Sequence, residues 1–120
     1  MTIEHTGLQV KNVEKSKVFY QEVLLPLGYK MNMDFGDSAG FMQGGHTSFW
    51  ITRAKKPAPM HVAFRASSRK AVQDFYKAAM KAGAKDNGKP GLRKDYSPDY
   101  YAAFVLDADG NNIEAVTFKR

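Results

Sequence analysis

His5-Thr6-Gly7-Leu8-Gln9-Val10 and His61-Val62-Ala63-Phe64-Arg65-Ala66 read as one pattern written twice. Each opens on a histidine and runs into alternating apolar positions. Each is followed at the same distance by an aromatic pair, Phe19-Tyr20 in the first and Phe75-Tyr76 in the second. Histidines and aromatics therefore share one offset of 56 residues (61 − 5 and 75 − 19). Gly28 and Gly83 close the two patterns, one residue out of register. Two copies are too few for a solenoid, which needs about three repeats or more. The echo instead describes one domain built from two halves. A duplicated unit brings equivalent positions to a pseudo-twofold axis, and equivalent histidines placed there invite a metal.

Working outward, each half has the same order of elements. In the first, residues 3–10 alternate as a strand, and Asn12 is a helix N-cap. The predicted helix runs through Leu25, with Phe19, Val23 and Leu27 on one face until Pro26 forces an end. Strands follow at 29–34, 40–43 and 48–53, with turns at Gly36 and Gly44-Gly45. The polar, proline-rich segment 55–59 separates module 1 (about residues 1–55) from module 2 (about 60–120). Module 2 repeats the plan: a strand at 60–66, a Ser67/Ser68 cap, and a helix carrying Val72, Phe75, Ala79 and Ala82 on one face. A weaker strand signal near Lys85 precedes clear strands at 100–106 and 111–118, joined by the turn Asp107-Ala108-Asp109-Gly110. Each half is βαβββ, and the fold class is α+β.

Composition bounds the function. With 120 residues, 43% hydrophobic and 25% charged, the chain fits one folded domain. It has no cysteine, which removes disulfides, thiolate metal sites and cysteine nucleophiles. No apolar run approaches the ~20 residues of a membrane span, and the polar start does not read as a signal peptide. A soluble cytoplasmic protein that binds no membrane is the expectation. The net charge of +6 is spread along the chain without a basic run or a nucleic-acid motif. The charge therefore points to a small anionic ligand rather than to nucleic acid.

Strand parity locates the chemistry. Leu8 and Val10 share the face that packs under the helix, so His5, Gly7 and Gln9 face away. In module 2, Val62, Phe64 and Ala66 take the helix side, leaving His61, Ala63 and Arg65 opposite. On the last strand Ile113 and Ala115 face the helix, and Glu114 faces away. His5, His61 and Glu114 thus project to the uncovered side. Two imidazoles and a carboxylate suit a divalent first-row metal such as Zn²⁺, Fe²⁺, Mn²⁺ or Ni²⁺. Three protein ligands leave positions open for a substrate. Glu114 is also the one nameable catalytic acid–base group. Arg65 faces the same side and suits an anionic ligand. His46, without an echo, reads as an exposed turn residue. Asp107, Asp109 and Asn111 do not make a calcium loop, because neither the glycine nor a twelfth-position glutamate falls where one requires it.

The chain resembles the vicinal oxygen chelate superfamily, which holds glyoxalase I, bleomycin- and fosfomycin-resistance proteins and extradiol dioxygenases, and in particular its small single-domain branch. The resemblance is carried by Ile3-Glu4-His5-Thr6-Gly7-Leu8, by Phe19-Tyr20 with Leu25-Pro26-Leu27-Gly28-Tyr29, and by His61-Val62-Ala63-Phe64. It continues through residues 86–93 to Tyr100-Tyr101-Ala102-Ala103-Phe104-Val105 and Asp109-Gly110-Asn111-Asn112-Ile113-Glu114-Ala115-Val116. It implies two βαβββ modules forming a curved, mixed eight-stranded sheet around a cleft, with helices on the outer face. It also implies that His5, His61 and Glu114 fill three of four metal-ligand positions. Trp50 falls at the fourth, where an indole cannot ligate, and becomes a stacking wall for a planar ligand. Asp95 and Ser97 stand where relatives carry histidines. The long segment 86–99 is expected to cover the mouth of the cleft and to offer Arg93, Tyr96 and Tyr100 to a ligand. The implied activity is that of a metal-dependent glyoxalase- or dioxygenase-like enzyme (lyase, isomerase or dioxygenase) acting on a small oxygen-chelating molecule. The alternative is a protein that binds or sequesters a small molecule without catalysis, as antibiotic-resistance relatives do. Exposed sheet edges and the resemblance together imply a homodimer.

Overall fold

A computed structural model describes residues 3–120. The element order is the expected doubled βαβββ. Module 1 comprises β1 (Thr6–Val10), α1 (Val13–Leu24), a 3₁₀ turn (Leu25–Leu27), β2 (Lys30–Asp34), β3 (Ser38–Gln43) and β4 (His46–Arg53). Module 2 comprises β5 (His61–Arg65), α2 (Arg69–Lys81), β6 (Lys85–Leu92), β7 (Tyr101–Leu106) and β8 (Asn112–Thr117). The eight strands are shared between two mixed four-stranded sheets, in the orders β1-β4-β3-β2 and β5-β8-β7-β6. In each, the first strand lies parallel to the last and the other neighbours are antiparallel. No ladder joins the two sheets among the described residues. No described helix is long and apolar enough to cross a membrane.

Local rules account for the helices. The Asn12 side chain accepts a hydrogen bond from Lys15 N at 3.1 Å and caps α1. Ser68 Oγ accepts one from Ala71 N at 3.0 Å and caps α2. Tyr20, Val23 and Leu24 on α1, and Val72, Phe75 and Ala79 on α2, are fully buried against the strand residues Leu8, Val10, Phe41, Phe49, Ile51, Ile113 and Ala115. One expectation changes. Residues 85–92 form β6 rather than the start of a loop, because register shifts between Asp86 and Gly88 and between Gly88 and Gly91 absorb the glycines and Pro90 while the ladder to β7 continues.

The modules join through their helical layer, with α1 and the 3₁₀ turn packed on α2. Phe64 of β5 enters the module 1 core, edge-to-face with Phe49 (ring centroids 5.0 Å apart) and Tyr29 (5.3 Å). Beside it sits a buried polar knot. The Tyr20 hydroxyl donates to Asp107, and Asn111 Nδ2 donates to the same carboxylate at 2.9 Å and to Gln9 O at 3.3 Å. Asn111 Oδ1 in turn accepts from Met60 N at 2.9 Å. At the rim of this junction Lys11 N donates to Asp109 at 3.0 Å. The β7–β8 turn of module 2 is thus tied to β1 and α1 of module 1.

Removing the Tyr20 hydroxyl should loosen this junction. Y20F leaves a buried carboxylate one donor short and is expected to cost about 1–3 kcal/mol in urea unfolding. Burial first, and then the Asp107 charge, push the Tyr20 pKa well above 10.0. The folded state therefore keeps the phenol protonated where the unfolded chain ionises it. This contribution is full below pH 10 and declines as the pH rises beyond it. Wild-type stability should fall more steeply between pH 9 and 11 (about one unit either side of the ordinary tyrosine value) than that of Y20F.

Candidate functional site

The uncovered faces of the two sheets carry the residues picked out by parity. On module 2, β8 places Glu114 between its ladder neighbours Ala63 of β5 and Phe104 of β7. The carboxylate is 1% exposed, far from the solvated strand residue that a sheet face usually offers. Both its oxygens are engaged: Oε1 lies 2.9 Å from His61 Nε2, and Oε2 accepts from the Tyr100 hydroxyl. Burial first, and then this hydrogen bond and the charge of Glu114, push the Tyr100 pKa up to about 12. The phenol is therefore a firm donor at neutral pH, and it fixes the rotamer of Glu114.

Aromatic rings frame this cluster. Tyr100 packs edge-to-face on Tyr96 (5.0 Å) and on Phe118 (5.3 Å), and His61 lies 6.3 Å from Phe104. Arg93 is turned inward over Phe104 at 5.4 Å and donates to Lys89 O at 2.7 Å and Gly91 O at 2.9 Å, which makes it a brace for the bulged β6. Gly88, at φ 151°, leaves the room this requires, since a Cβ there would meet Phe104 at 2.9 Å and the guanidinium at 3.0 Å. Arg65 is exposed and lies over Phe118 at 5.2 Å. Among the described residues no carboxylate pairs with it. Tyr96 is largely exposed on the turn between β6 and β7, which the Arg93 N–Tyr100 O hydrogen bond of 2.7 Å closes.

Module 1 presents the other half. His5 lies just ahead of β1, with Nδ1 hydrogen-bonded to the Glu4 carboxylate. His46 opens β4 instead of sitting in the turn, and its Nε2 lies 2.8 Å from Glu4 O and 3.2 Å from the Glu4 carboxylate. Trp50 lies beside these residues, at the register position that Glu114 occupies in module 2: Gly7 pairs with Trp50 as Ala63 pairs with Glu114. The predicted residues thus fall into two groups. His61, Glu114, Tyr100, Tyr96, Arg93 and Arg65 belong to module 2 and His5 and Trp50 to module 1, and a depression lined by Ile3, Thr6, His61 and Arg65 spans the two. Among the described residues of one chain, no three His, Cys, Asp or Glu side chains are arranged to hold a metal ion. Sequence reasoning missed Glu4, His46, Phe35, Phe104 and Phe118. Phe104 and Phe118 carried a usable signal, since their strand parity is that of the uncovered face.

This architecture matches known proteins over its full extent. The chain belongs to the Glyoxalase/Bleomycin resistance protein/Dioxygenase superfamily, whose sequence profile matches residues 2–115. A glyoxalase/bleomycin resistance protein from Albidiferax ferrireducens superimposes with a TM-score of 0.84 at 27% identity, over 95% of this chain and 97% of that one. A putative glyoxalase from Bacillus halodurans gives 0.72 at 22%, over 97% and 95%. The fosfomycin resistance protein FosX from Listeria monocytogenes gives 0.73 at 17%, over 98% and 93%. A variant of that FosX has been crystallised with Mn(II) and 1S,2S-dihydroxypropylphosphonic acid. The sequence has no significant match among curated proteins.

The Tyr100–Glu114 contact can be checked without any ligand. In an alkaline ultraviolet titration with chelator present, the phenol absent from Y100F should be one that ionises near pH 12 rather than near the ordinary tyrosine value of 10.0. A difference curve centred near 10 would remove the hydrogen bond from this site.

Proposed function

We propose that the protein is a metal-dependent enzyme whose site is completed by two copies of the chain. His61 and Glu114 of one copy and His5 of the other would hold a divalent first-row ion. The observation that carries this reading is the His61–Glu114 pair. His61 Nε2 and Glu114 Oε1 lie 2.9 Å apart, and an imidazole nitrogen beside a carboxylate oxygen is a donor pair that would suit a divalent first-row ion. The carboxylate is buried and the imidazole beside it is half-exposed, so the pair is approachable from the imidazole side. On the other face, the Glu4 contact at Nδ1 leaves Nε2 of His5 as its free donor, the arrangement expected of a ligating histidine. Within one chain Ile3 and Thr6 share a depression with His61 and Arg65, but among the described residues no three His, Asp or Glu side chains converge to hold an ion, and a symmetric homodimer would supply the third donor.

When bound, such an ion supplies Lewis acidity to the oxygens of a small chelating molecule. The chain's own residues do the rest. Tyr100 fixes Glu114, and Glu114 is the buried carboxylate able to take up and return a proton. Phe104, Phe118 and Tyr96 would give the pair an aromatic rim, and Arg65 would offer a charge to an anionic ligand. The Mn(II) complex of FosX is a precedent for this chemistry on the same fold. Trp50 in place of a fourth ligand favours a second reading, a binder without turnover. That reading would show as stabilisation by organic ligands in chelator with no response to metal.

A Mn²⁺ titration is expected to saturate at about one ion per chain, with H5A and H61A each abolishing tight binding. Mixed dimers of H5A and H61A chains should regain about half the capacity, because one of their two sites keeps both intact halves. Light scattering that shows a monomer would exclude the shared site, and absence of metal uptake under all loading conditions would exclude the metalloenzyme.

A further inference from the structure

The helical side of the module junction holds a cavity that the candidate site does not use. It measures about 390 Å³, at the small end of the roughly 300–1,000 Å³ of ligand pockets. Module 1 supplies one wall, with Lys11, Asn12, Lys15, Ser16 and Phe19 at the start of α1. Module 2 supplies the rest, from residues 82–84 after α2 and residues 107–109 in the β7–β8 turn. Phe19, Ala82 and Ala84, all half-buried, make the apolar part of the lining.

The polar groups on the α1 wall are unspent. Ser16 is only 9% exposed, yet its hydroxyl makes no hydrogen bond among the described residues. A buried hydroxyl is costly unless it is answered, and this one borders the cavity. Lys11 and Lys15 form no ion pair among the described residues, and Glu14 beside them is drawn to Lys17 at 3.0 Å. The first turn of α1 adds the positive end of its dipole. The facing wall is negative. Asp107 is spent, since its oxygens accept from the Tyr20 hydroxyl, Asn111 N, Asn111 Nδ2 and Asp109 N. Asp109 is not: Oδ1 accepts from Lys11 N at 3.0 Å, and Oδ2 has no partner among the described residues. The C-terminal end of α2 lies on the same side, and Lys81 in its last turn is outside the lining.

The lysines and aspartates of this lining balance in formal charge, so the cavity has a direction rather than a sign. A simple anion would answer one wall and oppose the other, whereas a dipolar molecule answers both. We propose that the cavity is a second ligand site, for a free α-amino acid with an apolar side chain. Its carboxylate lies toward Lys11, Lys15 and the Ser16 hydroxyl, its ammonium toward Asp109, and its side chain against Phe19, Ala82 and Ala84. Such a ligand touches both modules beside the Tyr20–Asp107 contact and stabilises their junction. The site shares no residue with the His61–Glu114 pair and does not depend on a metal.

Calorimetry on the full-length protein in chelator tests this with L-leucine, glycine, leucinamide and N-acetyl-leucine. Leucine should bind at about one molecule per chain. Glycine lacks the apolar group, leucinamide the carboxylate and N-acetyl-leucine the ammonium, and each should bind about tenfold or more weakly. K15M should weaken leucine and N-acetyl-leucine but not leucinamide. D109N, which keeps an acceptor for Lys11 N, should weaken leucine and leucinamide but not N-acetyl-leucine. S16A should weaken leucine without lowering the urea midpoint, because the hydroxyl has no partner in the fold. No binding of leucine, equal affinity for leucine and N-acetyl-leucine, or indifference to all three substitutions would overturn the proposal. So would leucine binding that requires Mn²⁺ or is lost in H61A, because the ligand would then belong to the candidate metal site.

Discussion

The buried contact between Tyr20 and Asp107 is the constraint on which the arrangement of this protein depends. Among the described residues no ladder joins the two sheets, so the relative pose of the modules is left to side chains at the junction and in the helical layer. Apolar packing alone, such as Phe64 against Phe49 and Tyr29, is non-directional and tolerates sliding. A phenol, a carboxylate and the Asn111 amide, all buried, do not tolerate it, because each would be left unsatisfied by a small shift. The polar knot therefore selects one pose out of several that the core would accept. Whatever the uncovered faces do, they do in the orientation that this knot allows.

Within that frame the two modules have the same backbone register and different chemistry. The parallel pairings β1–β4 and β5–β8 put Trp50 and Glu114 at equivalent points, and His5 and His61 ahead of them. One point holds a buried carboxylate, gripped by Tyr100. The other holds an indole laid flat on a glycine. The doubled scaffold thus departs from symmetry at this position, where one module carries a carboxylate and the other an indole.

Much of this was legible in the sequence because it obeys local rules. Strand parity gave the sides of His61, Glu114 and Arg65, and the Asn12 and Ser68 caps follow from residue type. What was not legible depends on distant partners. Segment 85–92 carries Gly88, Pro90 and Gly91, the composition of a loop, and is a strand only because β7 offers a ladder that tolerates two bulges. Tyr100 had the character of a ligand-contacting residue, and its engagement by Glu114 requires knowing that β8 passes beneath it. Arg93 likewise has the chemistry of an anion contact, but its guanidinium is drawn to the carbonyls that the bulges expose. Phe35 sits in a turn, where periodicity says nothing about packing. The division of the strands into two sheets is a non-local property, and a repeat in sequence does not encode how its copies dock.

The same division explains why the two faces differ in polarity. A carboxylate with almost no exposure needs a surrounding that excludes water and supplies donors, and module 2 builds this from Tyr100, His61 and the rings of Phe104 and Phe118. In the two-copy site proposed above, a second carboxylate at Trp50 would set two like charges across one small site, and each would raise the cost of ionising the other. An indole at that point removes the repulsion and adds apolar area, which strengthens every electrostatic contact the opposite face makes once water is displaced. The asymmetry is therefore not a defect in a four-ligand pattern. It is a coherent difference, with a buried carboxylate at the equivalent point of one module and an indole at that of the other.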